Sequence, residues 1–180
     1  MNDVLIYDDV INHDTLEKIN NLFFNDDFPW FFAETTAQNE FNFKDTFEHF
    51  QFVHWFIRES KINSQYINVL EDILKDLPIR LDNIIRAKAN FLPQVMHDKD
   101  EFNNPHIDMY QKHKICIVYL NDSDGDTFIF NDDKKIIQRV SPKKGRVLIM
   151  DGSFIHTSSH PIKSKYRIIF NINFQSSSFS

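Results

Sequence analysis

Two helical patterns followed by about eight short strand patterns at regular spacing predict a mainly β fold with flanking helices (α+β). Turn-rich pieces at 121–125, 131–133 and 142–145 separate several of the strand patterns. Because the helices come first and the strands follow, we expect a double-sheet jelly roll with the helices packed on one face.

Length and composition indicate one domain. The chain has 180 residues, and we interpret 1–180 as a single unit with N-terminal helices and a lid (1–83) and a jelly-roll core (84–174). The beginning of the chain lacks a signal-peptide pattern, and no apolar run approaches the roughly 20 residues of a membrane span. A single cysteine excludes an internal disulfide. We therefore expect a cytoplasmic protein with no membrane partner.

The first elements are short. Residues 4–7 form an apolar run that predicts a strand. Asp14 and Glu17 have capping-box spacing, and the following apolar residues recur at helical intervals, so we predict a helix over about 15–24 with Asp14 as its N-cap. An aromatic segment at 28–32 then begins as extended chain, with Pro29 suited to a strand start or edge.

Residues 36–63 have mixed periodicity and are rich in aromatic side chains. We predict an apolar cluster beneath a long loop, and the alternative is a lid over an active-site mouth. His49 and His54 lack partners at metal-ligand spacing, so we interpret them as packing or surface residues. The aromatic residues are Phe41, Phe43, Phe47, Phe50, Phe52, Trp55 and Phe56.

A second helix and the main run of strands follow. Ser64 is positioned to cap a helix over about 65–76, which Pro78 ends. Further along, alternation and β-branched or aromatic content predict strands at 83–92, 113–120, 127–130, 135–140, 146–150 and 166–174. We place His113 on the surface because it lies between two lysines.

His106 and Asp108 form the pattern on which the functional interpretation depends. In an extended segment, residues two apart point to the same face, so an imidazole and a carboxylate would be presented together. A second histidine would complete a 2-His-1-carboxylate facial triad, which holds non-haem Fe(II) and leaves coordination positions open. His156 and His160 are the two candidates, and His156 is favoured by its spacing from Arg167. A buried Arg167 would need an anion such as a dicarboxylate.

This series resembles the Fe(II)/2-oxoglutarate-dependent dioxygenases, on the prolyl-4-hydroxylase-like branch, which have a double-stranded β-helix (jelly-roll) fold. The resemblance covers about residues 84–174. Two departures are Gly125-Asp126, where the family commonly has two glycines, and the absence of a glycine before Arg167. The segments at 28–30 and 51–54 resemble small phage or bacterial oxygenases more loosely. The motifs that carry the main resemblance are His106-Ile107-Asp108, residues 116–121, 125–128 and 141–146, His156 and Arg167.

The resemblance implies a role for each residue at its matching position. His106, Asp108 and His156 would bind iron, and Arg167 with Tyr119 would bind the distal carboxylate of 2-oxoglutarate. Residues implied to line the cosubstrate pocket or approach the iron or the substrate are Asn90, Ile117, Thr127, Asn171 and Asn173.

The resulting hypothesis is a dioxygenase that uses Fe(II), 2-oxoglutarate and O₂, with ascorbate as a stimulant, to hydroxylate a substrate C–H bond. The substrate would be a peptide or protein, with proline suggested by the branch, or a small molecule. One alternative is a non-catalytic metal- or sugar-binding jelly roll. Another is an oxygenase of nucleic-acid bases, which the net charge of −6 disfavours although a local patch remains open. That patch would comprise Lys143, Lys144, Arg146, Lys163 and Lys165.

Overall fold

The computed structural model describes residues 4–38, 40–44, 46, 49–96, 98 and 101–175. The helices in these ranges are α1 (His13–Phe23) and α2 (Ile67–Leu74), with a short 3₁₀ turn at Leu81–Asn83. The strands are β1 (Leu5–Tyr7), β2 (Phe31–Ala33), β3 (Gln51–Arg58), β4 (Lys61–Ile62), β5 (Ile84–Pro93), β6 (Lys114–Tyr119), β7 (Thr127–Phe130), β8 (Ile136–Val140), β9 (Val147–Asp151), β10 (Ile155–Ser158) and β11 (Tyr166–Phe174).

The strands form two antiparallel sheets. The major sheet has the order β1-β9-β6-β11-β5-β3-β2, with β4 paired to β3, and the minor sheet has the order β10-β7-β8. The described residues of this fold are therefore mostly β with two α-helices, and the predicted jelly roll with flanking helices is confirmed. No helix among these residues is long and apolar enough to cross a bilayer.

Strand β6 shows how the sequence separates two apolar clusters. Cys116 and Val118 point to the cluster that also contains the buried faces of α1 and α2. Ile117 and Tyr119 point the other way, into the cluster between the two sheets. This alternation follows from the period-two geometry of a strand. Tyr119 and Ile117 therefore share one face of β6, and Cys116 lies on the opposite face.

The long pair β5 and β11 runs through the middle of the major sheet. Its register pairs Arg167 with Leu92 and Asn171 with Lys88. Side chains paired in this way lie on the same face of a sheet. The predicted bounds of β11 are confirmed, and those of β5 differ by one residue at each end.

Helix α1 begins earlier than its sequence pattern indicates. Its N-cap is Asn12, whose side chain accepts a hydrogen bond from the backbone N–H of Asp14 at 2.8 Å. The prediction of Asp14 as the N-cap was therefore wrong. Asn is as good an N-cap residue as Asp, and its position two residues upstream lengthens the helix by about half a turn.

The prediction of a long loop over residues 36–63 was wrong for its second half. Gln51–Arg58 is an eight-residue strand between β2 and β5, and β4 follows it in a tight reversal. Phe56 is fully buried against the helices, so this aromatic belongs to the main core. The mixed periodicity has a local cause, since β3 carries a bulge between Trp55 and Ile57 that shifts its phase. Phe47 lies outside the described residues.

Two further differences concern histidines. His113 is buried at 4% exposure, and its Nδ1 lies 2.7 Å from the carbonyl oxygen of Gln111, so the surface prediction was wrong. His54 is a packing residue, as expected: its ring nitrogens contact the Pro29 carbonyl oxygen at 2.8 Å and Ser64 Oγ at 2.7 Å. Strand β10, which carries His156, was absent from the predicted strands.

Candidate metal and cosubstrate site

His106 and His156 meet through the backbone. Each residue's N–H donates to the other's carbonyl oxygen at 3.0 Å, forming an isolated antiparallel bridge at the edge of the minor sheet. His106 precedes β6, and His156 lies in β10, so the two imidazoles are brought together only by strand pairing. Their ring centroids are 4.8 Å apart.

Asp108 completes a cluster whose three potential ligand atoms lie within 4.8 Å of one another. His106 Nε2 is 3.5 Å from Asp108 Oδ1, and His156 Nε2 is 3.9 Å from Oδ2. His160 does not join this group, because its Nδ1 lies 2.8 Å from the carbonyl oxygen of Pro93. Of the two candidate histidines, the structure therefore brings His156 to His106 and Asp108.

The orientation of the imidazoles suits metal binding. Nδ1 of His106 lies 3.2 Å from the carbonyl oxygen of Asn104, and Nδ1 of His156 lies 3.0 Å from that of Phe154. A carbonyl only accepts, so each Nδ1 must carry the proton, which leaves the Nε2 lone pairs free toward Asp108. Burial, followed by the nearby His106, lowers the pKa of His156 to about 4, so the neutral form that a metal requires dominates at neutral pH.

The Asp108 carboxylate is held from behind by β5 and β11. Arg86 Nη2 forms a close ion pair with Oδ1, while the amides of Asn171 and Asn173 donate to Oδ2 at 3.1 and 2.8 Å. Arg86 Nε also donates to Asn173 Oδ1 at 2.6 Å. Burial raises the pKa of Asp108, but the nearby His106 imidazole and the Arg86 charge outweigh it and hold that pKa well below its usual range.

Arg86 received no role from the sequence. Asn171 and Asn173 were expected near the iron or substrate, and the structure shows that they bind the carboxylate of the candidate ligand Asp108. The sequence signal that could have identified Arg86 is its position, because it lies two residues before Lys88 and so shares one face of β5 with Lys88, Asn90 and Leu92.

Arg167 is buried in the same cavity as the two histidines. Its Nη2 donates to Thr127 Oγ1 at 2.8 Å, and the Tyr119 hydroxyl donates to the same oxygen at 2.8 Å. Within the described ranges the guanidinium forms no ion pair, and its buried Nε has no hydrogen-bond partner. Because a buried charge without a counter-charge is costly, this arrangement fits an anionic guest. Tyr119 lies one hydrogen bond away, behind Thr127.

The departure at Gly125-Asp126 has a structural explanation. A Cβ on Gly125 would lie 2.7 Å from the Ser159 carbonyl oxygen and 3.1 Å from Arg167 Cδ, so glycine makes room for the arginine stem. Asp126 forms a close ion pair with Arg139 instead of facing the cavity. Asp124 accepts the backbone N–H groups of residues 162–164, which orders the turn before Arg167 without a glycine there.

Asn90 and Gln51 join the cavity to the N-terminal segment. Asn90 Nδ2 donates to Gln51 Oε1 at 2.6 Å, and Gln51 Nε2 donates to the carbonyl oxygens of Thr35 and Thr36 at 3.2 and 3.3 Å. Asn90 Oδ1 is buried, with no hydrogen-bond partner among the residues that the structure describes. No role at the site was predicted for Gln51, because its hydrogen-bond partner Asn90 is remote in the chain.

The segment around Thr36 forms one wall of the cavity. Asn104, two residues before His106, donates to the carbonyl oxygen of Ala37 at 3.2 Å and accepts from Thr46 Oγ1 at 2.6 Å. Ala37 therefore contacts the loop that carries His106.

The basic patch considered for nucleic acid is partly neutralised. Lys143 and Arg146 form ion pairs with Asp8, and Lys144 forms a close ion pair with Glu17. A phosphate backbone requires free cations, and these three already have carboxylate partners.

No family profile and no curated protein sequence matches this chain. Solved structures do share its fold. A 2OG-Fe(II) oxygenase family oxidoreductase from Burkholderia pseudomallei has a TM-score of 0.67 at 11% identity, with 95% of this chain and 84% of that chain covered. A Pseudomonas putida prolyl-4-hydroxylase has a TM-score of 0.60 at 14% identity over 97% and 94% of the two chains. A Trichoplax adhaerens prolyl hydroxylase bound to a hypoxia inducible factor peptide has a TM-score of 0.58 at 12% identity over 97% and 84%.

Proposed function

We propose that this protein is an Fe(II)- and 2-oxoglutarate-dependent dioxygenase that hydroxylates a C–H bond of its substrate. The observation that carries the proposal is the union of two features in one cavity. One is a His-Asp-His cluster of metal-ligand type, and the other is a buried arginine without a carboxylate partner among the described residues. The shared fold with oxygenases of this kind supports it.

His106, Asp108 and His156 would hold the iron through two imidazole Nε2 atoms and one carboxylate. That donor set suits non-haem Fe(II) and leaves positions open for cosubstrate and O₂. The bound metal supplies the redox chemistry: 2-oxoglutarate, O₂ and R–H become succinate, CO₂ and R–OH. Arg86, Asn171 and Asn173 would keep the Asp108 carboxylate ionised and correctly oriented, as outer-shell partners of metal ligands do.

Arg167 would bind the distal carboxylate of 2-oxoglutarate. Thr127 fixes the guanidinium, and Tyr119 fixes Thr127, so the three form a rigid end to the cavity. Ile117 and Ile169 line the cavity between this end and the metal cluster, where they would exclude water from the reacting groups. Asn90 would present its free Oδ1 close to the metal end. The non-catalytic alternative supplies no anion to pair with the buried charge of Arg167.

The proposed substrate is either a peptide or protein, in which proline is the favoured target residue, or a small molecule. The Trichoplax neighbour holds a peptide, and two of the neighbours are prolyl hydroxylases, which supports the peptide class. The Thr36 wall at the cavity mouth would then lie against the bound substrate.

Succinate formation tests the proposal. Purified protein is incubated with Fe(II), 2-oxoglutarate, ascorbate and O₂, with and without proline-containing peptides and amino acids. We expect slow succinate release without substrate, faster release with the correct class, and loss of both in His106→Ala. If no succinate forms, iron and 2-oxoglutarate binding are measured anaerobically in the same preparation, and absence of both overturns the proposed function.

A further inference from the structure

Lys88 is a cavity-lining cation that the proposed function does not use. It is half-buried and lies beside Arg86 on the same face of β5. Among the residues that the structure describes, its ammonium group has no hydrogen bond and no ion pair, in contrast to Arg86, whose guanidinium is paired with Asp108. Burial, and then the charge of Arg86, lowers the pKa of Lys88 to about 8.

Trp55 gives this cation a fixed position. Lys88 and Trp55 are register partners across β3 and β5, and the Lys88 ammonium lies 5.4 Å from the centroid of the indole ring. Arg58 and Arg86 lie over the same ring at 4.8 and 5.8 Å. An indole face attracts cations, so the ring holds the Lys88 side chain in place while leaving its ammonium hydrogens free to donate.

The strand register between β5 and β11 places Lys88 away from Arg167, which marks the proposed cosubstrate end of the cavity. Leu92 pairs with Arg167, whereas Lys88 pairs with Asn171, which binds Asp108. Four residues of strand correspond to roughly 13 Å. The five-carbon chain of 2-oxoglutarate is shorter than this, and its distal carboxylate already has Arg167. Lys88 therefore lies beside the metal cluster, on the side away from Arg167.

We propose that Lys88 and Trp55 form a substrate subsite for a carboxylate, so that the enzyme hydroxylates a substrate carrying an acidic group close to the reacting carbon. This proposal rests on the proposed function and narrows its substrate class. The ammonium group would donate to the carboxylate, and the indole would pack against the carbon atoms next to it. The carboxylate could come from a free amino or organic acid, or from an acidic residue of a peptide.

The test compares matched acids and amides. One panel contains free amino acids and their carboxamides, and the second contains proline peptides that differ only by Glu against Gln or Asp against Asn. Substrate-stimulated succinate formation is measured for each pair at saturating 2-oxoglutarate. A charge-assisted hydrogen bond contributes about 1.5–3 kcal/mol, so we expect the acid of the productive pair to have a kcat/KM about tenfold or more above its amide. The panel in which this occurs identifies the source of the carboxylate.

Three variants test whether Lys88 causes the preference for acids. Lys88→Met keeps an unbranched side chain but removes the charge, and it should abolish the preference for acid over amide. Lys88→Arg should keep part of that preference. Arg58→Met is the matched control, because it removes a cation from the same indole ring at an exposed position outside the cavity. It should keep the full preference.

Three results would overturn the subsite. The first is no preference for acids in either panel, and the second is a preference that survives in Lys88→Met. The third is a raised 2-oxoglutarate requirement in Lys88→Met, which would put this lysine at the cosubstrate instead.

Binding of both panels to the metal-free protein, by calorimetry, keeps this test separate from the oxygenase test. If turnover, iron binding and 2-oxoglutarate binding are all absent but acids bind better than amides through Lys88, the proposed function fails and the carboxylate subsite stands. If turnover succeeds but acids and amides behave alike in both panels, the proposed function stands and the carboxylate subsite fails. Binding without any discrimination overturns the subsite whatever the turnover.

Discussion

The two faces of β11 bury very different side chains. Ile168, Phe170 and Ile172 point to the helices and pack in an apolar, aromatic core. Arg167 and Asn171 lie in the other phase of the same strand, are just as buried and line the cavity, while Asn173 in that phase binds Asp108. Apolar burial stabilises a fold, whereas buried charges cost stability unless they are paired. We infer that the helix-facing side was selected for stability and the cavity-facing side for binding.

The largest effect should come from Asp108→Ala on the cavity face. Removing the carboxylate takes away one of three metal ligands, so we expect loss of measurable Fe(II) binding and turnover. Fe(II) binding is measured anaerobically, and turnover is followed as succinate release. Asp132→Ala, which removes an exposed carboxylate from a turn, is the control and should behave as wild type. Retained turnover in Asp108→Ala would remove this residue from the metal site.

Phe170→Ala, on the helix-facing side, should lower stability and leave iron binding unchanged. The ring is fully buried, with centroids 4.9 Å from Phe56 and 5.7 Å from Phe23, so its removal leaves a cavity. We expect a loss of about 3–5 kcal/mol in the free energy of unfolding, with iron affinity unchanged where the protein is folded. Urea unfolding measures the loss, and Leu5→Ala at the exposed edge strand is the control. An equal loss of iron affinity would show that the two faces are coupled.

Arg167→Met should weaken cosubstrate binding without destabilising the fold. Loss of one partner from a buried charge pair costs about 2 kcal/mol or more, so we expect the KM for 2-oxoglutarate to rise about 30-fold or more. The free energy of unfolding of the ligand-free protein should stay the same or increase, because an uncompensated charge is removed. Steady-state kinetics and urea unfolding measure the two quantities. An unchanged KM would contradict the assignment of Arg167.

The smallest effect on stability should come from the exposed Asp8–Arg146 ion pair, in contrast to the buried Arg86–Asp108 pair. The hydrogen bond from Arg146 lowers the pKa of Asp8 to about 2. A lowered carboxyl pKa contributes stability above the unfolded-state value near 3.8, and this contribution is lost as pH falls toward 2. The unfolding midpoints of wild type and Asp8→Asn should therefore differ slightly near neutral pH and converge at about pH 2. A difference that grows on acidification would contradict this.

Local patterns carried much of the prediction. The alternation in β5, β6 and β11 is visible in the chain itself, because a strand's period of two sorts its residues before any partner is known. His106 and Asp108 could be paired on the same basis, although they lie in an irregular segment and not in a strand. The resemblance implied roles for His156 and Arg167, and the structure places both residues in one cavity.

The sequence by itself determined the fold class, the strand phases and the chemical types at the candidate site. Only the tertiary structure decided which remote groups meet. Arg86 and Asn173 reach Asp108 from 22 and 65 positions away, and Gln51 reaches Asn90 across 39. The tertiary structure also decided the β3 bulge, the Lys88–Trp55 contact and the burial of His113. Periodicity is a property of neighbouring residues, whereas these contacts depend on strand register, which is set by packing of the whole chain.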